Sequence, residues 1–122
     1  MTTKNQLPEV ITSFINALNA HDGDTFIACF AKDAHCNDFQ RNFWGVEEIK
    51  KWSDKEMIGD RVTFQIDEAI EHYGEYFITA LTDGNYDKKL SPHPTYLDYF
   101  FTLCGNKIVR LLITKNRAKS AK

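Results

Sequence analysis

The chain has 122 residues, 43% of them apolar, with nine Phe, two Trp, a net charge of −2 and a pI near 6.1. A chain this long makes one domain (1–122, with a core over 6–115) that buries roughly two thirds of its unfolded surface, so neither disulfides nor metal are needed to hold it. Its slight acidity argues against a nucleic-acid partner, and no run approaches the roughly 20 apolar residues of a membrane span.

The polar start Met1–Gln6 does not resemble a secretion signal. From Pro8 to Ala20, Val10, Ile11, Phe14, Ile15 and Leu18 recur at helical spacing, with Pro8 in the first turn and His21-Asp22-Gly23 as the stop. A short second helix follows, capped by Asp22 or Asp24, with Phe26, Ile27 and Phe30 on one side. A brief strand covers Ala34 to Asp38, and a loop then runs to Gly45. Gly45 opens a third helix, with Val46, Ile49, Ser53 and Met57 on one face and a solvated charge run over the rest.

After Gly59-Asp60 the period changes to alternation. Val62, Phe64, Ile66, Ile70 and His72 share one pattern, and Tyr73-Gly74-Glu75 turns the chain into a partner strand ending near Asp83. Glu68 interrupts that apolar pattern, which a β-bulge turning it outward explains. A loop with Gly84, Pro92 and Pro94 leads to a final hairpin, Tyr96–Cys104 and Lys107–Thr114, about the turn Gly105-Asn106. The fold class is α+β: three N-terminal helices packed in the concave face of a curved antiparallel sheet. The basic residues Lys115, Arg117, Lys119 and Lys122 read as a flexible tail over 116–122.

An unbroken register in the last hairpin sets Leu103 opposite Ile108 and Asp98 opposite Ile113. One face then carries Tyr96, Asp98, Phe100 and Thr102 with Val109, Leu111 and Ile113. The other carries Leu97, Tyr99, Phe101 and Leu103 with Ile108, Arg110 and Leu112. Both are too apolar for water, so helices should cover the first and a second subunit the second. A homodimer with Tyr99, Phe101, Leu103, Ile108 and Leu112 at its interface is the expectation.

The stretch Asp33-Ala34-His35-Cys36-Asn37-Asp38, followed by Phe43-Trp44-Gly45-Val46-Glu47-Glu48-Ile49, resembles the strand-and-turn element of the SnoaL-like/nuclear transport factor 2-like superfamily. The order of elements matches from about Leu7 to Lys115. The resemblance implies a cystatin-like cone, a curved sheet wrapped around a long helix with an internal pocket, and commonly dimers. Ketosteroid isomerase is the nearest chemical comparison. It implies Asp38 as general base and Asp98 as a protonated carboxylic acid that donates a hydrogen bond. The isomerase's oxyanion tyrosine is matched by Phe14, and its supporting tyrosines by Phe30 and Ser53, so the phenol network is not kept.

These residues point to a pocket for a small apolar organic molecule, lined by Phe14, Phe30, Trp52, Ser53, Phe64, Tyr96, Phe100, Leu111 and Ile113. With Asp38 and Asp98 catalytic, it would perform cofactor-independent isomerase, dehydratase or cyclase chemistry by carboxylate proton transfer. A non-catalytic ligand-binding or dimerisation module, in which both acids are structural, is the alternative, and a protein-docking domain is a third reading. Asp38 on that alternative caps the loop after its strand. His21, His35, His72 and His93 read as structural, surface, turn and loop residues. No metal-ligand spacing, GxSxG or phosphate-cradling Gly loop is present. Cys29, Cys36 and Cys104, odd in number and without CxxC spacing, read as reduced thiols in the cytoplasm.

Overall fold

The computed structural model describes residues 7–85 and 94–116; Pro92, His93, Arg117, Lys119 and Lys122 lie outside them. Helix α1 (Glu9–Asn19) starts behind Pro8, whose carbonyl accepts the amides of Ile11 and Thr12, and it buries Val10, Ile11, Phe14, Ala17 and Leu18. Helix α2 (Gly23–Ala28) is capped by the Asp22 carboxylate, which accepts the Thr25 amide at 3.2 Å and its hydroxyl at 2.7 Å. Strands β1 (Phe30–Asp38) and β2 (Arg41–Trp44) form a hairpin where a loop was expected after Asp38. Helix α3 (Val46–Trp52) runs on as a π-helical turn, Ser53–Met57. Strands β3 (Thr63–His72), β4 (Glu75–Asp83), β5 (Thr95–Cys104) and β6 (Lys107–Lys115) complete the chain.

The six strands form one sheet in the order β2-β1-β6-β5-β4-β3. It is mixed rather than wholly antiparallel, because β1 runs parallel to β6. Those two strands are far apart in sequence and share no hairpin, so nothing forces them antiparallel. The helices lie on one face. There the Phe14 ring meets those of Phe26, Phe30, Phe64 and Phe101, with centroids 4.8 to 6.2 Å apart. Burying five aromatic rings in one cluster supplies a large share of the apolar stabilisation of a domain this small.

Two β-bulges decide which side chains join that core. In β3, Ile66 pairs with Ala80 and Glu68 with Thr79, leaving Asp67 as the extra residue. Beyond it Ala69 turns inward, while Glu68 and Ile70 turn outward, as the break at Glu68 implied. In β6, Leu103 pairs with Ile108 but Thr102 pairs with Arg110, leaving Val109 unpaired. Asp98 therefore stands opposite Thr114, not Ile113, and Tyr99 takes the place beside Ile113.

That one-residue slip exchanges the faces expected for the hairpin. Leu97, Tyr99 and Phe101 face the helices together with Leu111 and Ile113, all buried. Ile108 is also fully buried, and its amide donates to the Cys29 carbonyl at 2.8 Å. Tyr99, Phe101 and Ile108 are thus covered by their own chain rather than by a partner, and Leu103 is half-buried. On the opposite face, Ile70, Phe77, Phe100 and Leu112 are paired in one row across four strands, β3 to β6. Phe77 and Phe100 touch ring to ring at 4.4 Å, and Ile70 and Phe77 are 43% and 36% exposed.

Candidate functional site

The β1–β2 hairpin turns on two residues, Phe39 and Gln40, both at positive φ (52° and 71°). Two left-handed residues match the twist of the flanking strands, which glycine or asparagine usually permits and a phenylalanine rarely adopts. The Asn37 side chain holds the turn by accepting the Gln40 amide at 3.0 Å. The tight turn makes Asp38 and Arg41 direct cross-strand partners, and the Arg41 guanidinium donates to Asp38 Oδ2 at 2.7 Å. The second anchor comes from α3, where the Trp52 indole donates to the same oxygen at 3.0 Å.

The π-helical turn supplies the third charged group. An Ile58 amide reaching back to the Ser53 carbonyl at 2.7 Å marks the widened turn, which carries Glu56 and Met57 toward the hairpin. Glu56 receives both terminal nitrogens of Arg41, at 3.0 and 2.6 Å. Arg41 therefore bridges two carboxylates in a planar, bidentate arrangement. Gly59 is required behind it, since a β-carbon there would stand 2.5 Å from the carbonyl oxygens of Asp54 and Lys55.

These groups rim a cavity of about 360 Å³. Asp38, Arg41 and Glu56 form its charged part, Met57, Val62, Leu97 and Ile113 its apolar wall, and Tyr99 and Thr82 a neutral hydroxyl part. Phe39 stands at its edge, 40% exposed. Burial raises the Asp38 pKa above the usual carboxylate value of 3.8. The Trp52 hydrogen bond and the Arg41 charge oppose that rise, while Glu56 adds to it. Arg41, gripped by Glu56, is held even more firmly protonated than usual. Both hydrogen bonds to Asp38 fall on Oδ2, and no described residue donates to Oδ1. The site thus presents an accessible carboxylate oxygen, of raised basicity, to an apolar space.

The expected site residues divide sharply. Asp38 and Ile113 border the cavity, and Trp52 supports Asp38 from behind. Phe14, Phe30, Phe64 and Leu111 are core residues packed beneath the sheet rather than cavity wall. Ser53 is fully buried and donates to the Lys50 carbonyl, at the start of the π turn. Tyr96 and Phe100 follow Asp98 onto the outer face. Asp98 does not meet Asp38: it is 9% exposed, on the other side of the sheet, where its Oδ1 accepts the Thr79 hydroxyl at 2.8 Å and the Asn116 amide at 2.9 Å. Trp44 belongs to neither core nor cavity, being 62% exposed and stacked on His35 at 3.9 Å.

Arg41, Glu56, Met57, Thr82, Leu97 and Tyr99 were not anticipated at the site. Arg41 was within reach, since three residues after a strand-end Asp is the spacing a two-residue turn places opposite it. Glu56 and Met57 depend on the π turn, which shifts the helical phase and has no signature in the alternation of charges. Among the described residues, no three His, Cys, Asp or Glu side chains converge as a metal-binding group. No described helix is long and apolar enough to cross a membrane.

This architecture, helices laid in one face of a six-stranded sheet with a cavity at the sheet's end, is the fold of the SnoaL-like/nuclear transport factor 2-like superfamily. No family model matches the sequence, and no curated protein matches it either. Solved structures carry the likeness. The chain is similar to a proposed polyketide cyclase from Sinorhizobium meliloti, at 23% identity over 93% of this chain and 100% of that one, with a TM-score of 0.82. It is also similar to a ketosteroid isomerase-like fold from Catenulispora acidiphila in complex with trimethylamine, at 19% identity over 93% of each chain and a TM-score of 0.75. A third likeness is to the Anabaena orange carotenoid protein binding canthaxanthin, at 19% identity and a TM-score of 0.75, over 93% of this chain and 38% of that one.

Proposed function

We propose that this chain is a small-molecule pocket protein of the SnoaL-like type, and that Asp38 is a general base acting on an apolar ligand held in the cavity. The observation carrying this reading is the Asp38 carboxylate itself. It borders an apolar cavity, its basicity is raised by burial, and Oδ1 is left open while Oδ2 is anchored. In the reaction, Oδ1 takes a proton from the carbon beside a carbonyl, the C–H electron pair forms the enolate, and the same proton returns to that or a neighbouring carbon. Isomerisation, dehydration and cyclisation all begin with this step. A neighbour binding canthaxanthin and another holding trimethylamine support the use of this fold as a container for organic molecules.

The test is proton exchange at the α-carbon of 2-tetralone, a bicyclic ketone, followed by NMR in deuterated buffer. Exchange above the buffer rate that is lost in Asp38→Asn supports the reading. Exchange no faster than buffer, with the ketone bound, leaves the alternative of a non-catalytic ligand-binding module.

The outer face favours a homodimer as well. The row Ile70, Phe77, Phe100 and Leu112 is an apolar stripe on an otherwise polar face, and burying it against a twofold mate would remove it from water. The proposed interface therefore keeps Leu112 and replaces Tyr99, Phe101 and Ile108 with the outward residues of the same strands. Light scattering should report a dimer that Phe77→Asp dissociates; a monomeric parent chain refutes it. Cys29 and Cys36 are buried and unpaired, which suits a reducing compartment, and the cytoplasm is the proposed location.

A further inference from the structure

Tyr99 is buried to 1% exposure, and its ring is fixed on two sides by Phe64 at 4.5 Å and Phe101 at 6.5 Å. Packing alone would be served by phenylalanine. The hydroxyl instead reaches Thr82 Oγ1 at 2.9 Å, and Thr82 is itself 2% exposed. Both side chains border the same cavity as Asp38. Apart from the Asp38–Arg41–Glu56 group, they are the polar part of a wall otherwise built from apolar side chains. A buried hydroxyl pair at the edge of an apolar space is costly unless its hydrogen-bonding capacity is used.

The sheet register gives the spacing. Asp38 pairs with Ile113, and Ile113 with Tyr99, so the three lie in one row on one face. Adjacent strands are about 4.8 Å apart, which puts the Asp38 and Tyr99 α-carbons about 10 Å apart across β6. A small ring system fits between two such anchors. Thr82 can donate into the phenol oxygen, which turns the phenol proton toward a ligand and orients it in advance.

We propose that the Tyr99–Thr82 hydroxyl pair is the oxygen-recognition element of this cavity, and that its ligands are apolar molecules bearing a hydrogen-bond-accepting oxygen, ketones or aldehydes in class. This rests on the reading of the cavity as a ligand site and extends it from shape to chemistry. Asp38 then faces the carbon skeleton while Tyr99 holds the oxygen. Specificity arises because a hydrocarbon of equal size leaves the phenol without its partner.

The experiment compares 2-tetralone with tetralin, the same bicycle without the carbonyl, by NMR titration. Shifts of the Ile113 and Val62 methyl groups locate binding in the cavity. Tyr99→Phe, which keeps the ring, should weaken 2-tetralone binding about fivefold and leave tetralin within about twofold. Thr82→Val keeps the phenol but not its orienting partner, and should weaken the ketone selectively too. It carries the test if Tyr99→Phe does not fold. Equal loss for both probes, or no loss for the ketone, overturns the proposal while the ligand pocket stands. Failure of both probes to bind the parent chain overturns the pocket reading and this proposal together.

Discussion

Asp38 and Asp98 are both largely buried acids on strands of one sheet, yet they occupy different kinds of place. Asp38 ends β1 on the helix-covered face, paired with the charged Arg41 and bordering a cavity. Asp98 lies within β5 on the outer face, where its partners are the neutral Thr79 and Asn116. These bonds tie β4 and β5 to the residue just past β6, and the Asn116 amide donates to the Tyr96 carbonyl at 3.2 Å as well. Burial of a carboxylate is thus no index of chemistry. What separates the two is whether space for a reactant lies beside the oxygen.

The largest expected difference is in turnover. Asp38→Asn should lower α-proton exchange on 2-tetralone by about 10²–10⁴, the usual contribution of a general base. Asp98→Asn should leave it within about threefold, because no reactant reaches that side of the sheet. Comparable losses in both variants would erase the distinction. The order reverses for stability. Asp98→Leu strips the acceptor from Thr79 and Asn116, and should cost about 1–3 kcal/mol in chemical denaturation.

A third measurement uses pH. The Asp38 pKa is raised on folding, so above 3.8 the folded state holds its proton more tightly than the unfolded chain. The stability of the parent relative to Asp38→Asn should therefore be greatest near and below pH 3.8. It should fall as pH rises through the folded pKa and then stay flat. Thermal melts of the two proteins across that range check the sign, and a relative stability that climbs with pH would contradict the raised pKa. The smallest effect is at the turn. Gln40→Gly relieves a left-handed side-chain residue and should add up to about 1 kcal/mol of stability, while loosening the Asp38–Arg41 pair.

Much of the fold was legible because local signals agreed with it. The stripe through Val10, Phe14 and Leu18 gave α1, and the change of period after Gly59-Asp60 separated helices from sheet. Gly105-Asn106 gave the last turn and its first pair, Leu103 with Ile108. The site was less legible, for a reason of parity. One extra residue at Val109 reverses every side chain beyond it, which moved Asp98 out of the cavity face and Tyr99 into it. The hint lay in Ile108 and Leu111, two fully buried residues three apart, a spacing unbroken alternation cannot place on one face. Strand β2 was hidden differently: Phe39-Gln40 lacks the residues that favour a two-residue turn, and the surrounding contacts override that preference. At Glu68 the same kind of bulge was readable, because a charged residue broke an apolar pattern there.

The hydrogen bond from Trp52 to Asp38 has an optical consequence. Indole emission responds to charge beside its nitrogen, and this carboxylate lies 3.0 Å from Nε1. With the solvent-exposed Trp44 replaced by phenylalanine, Trp52 becomes the single fluorophore, and its emission follows the protonation of Asp38 without any added label. The proposed base therefore carries its own reporter, able to register its titration and the arrival of a ligand in the same cuvette.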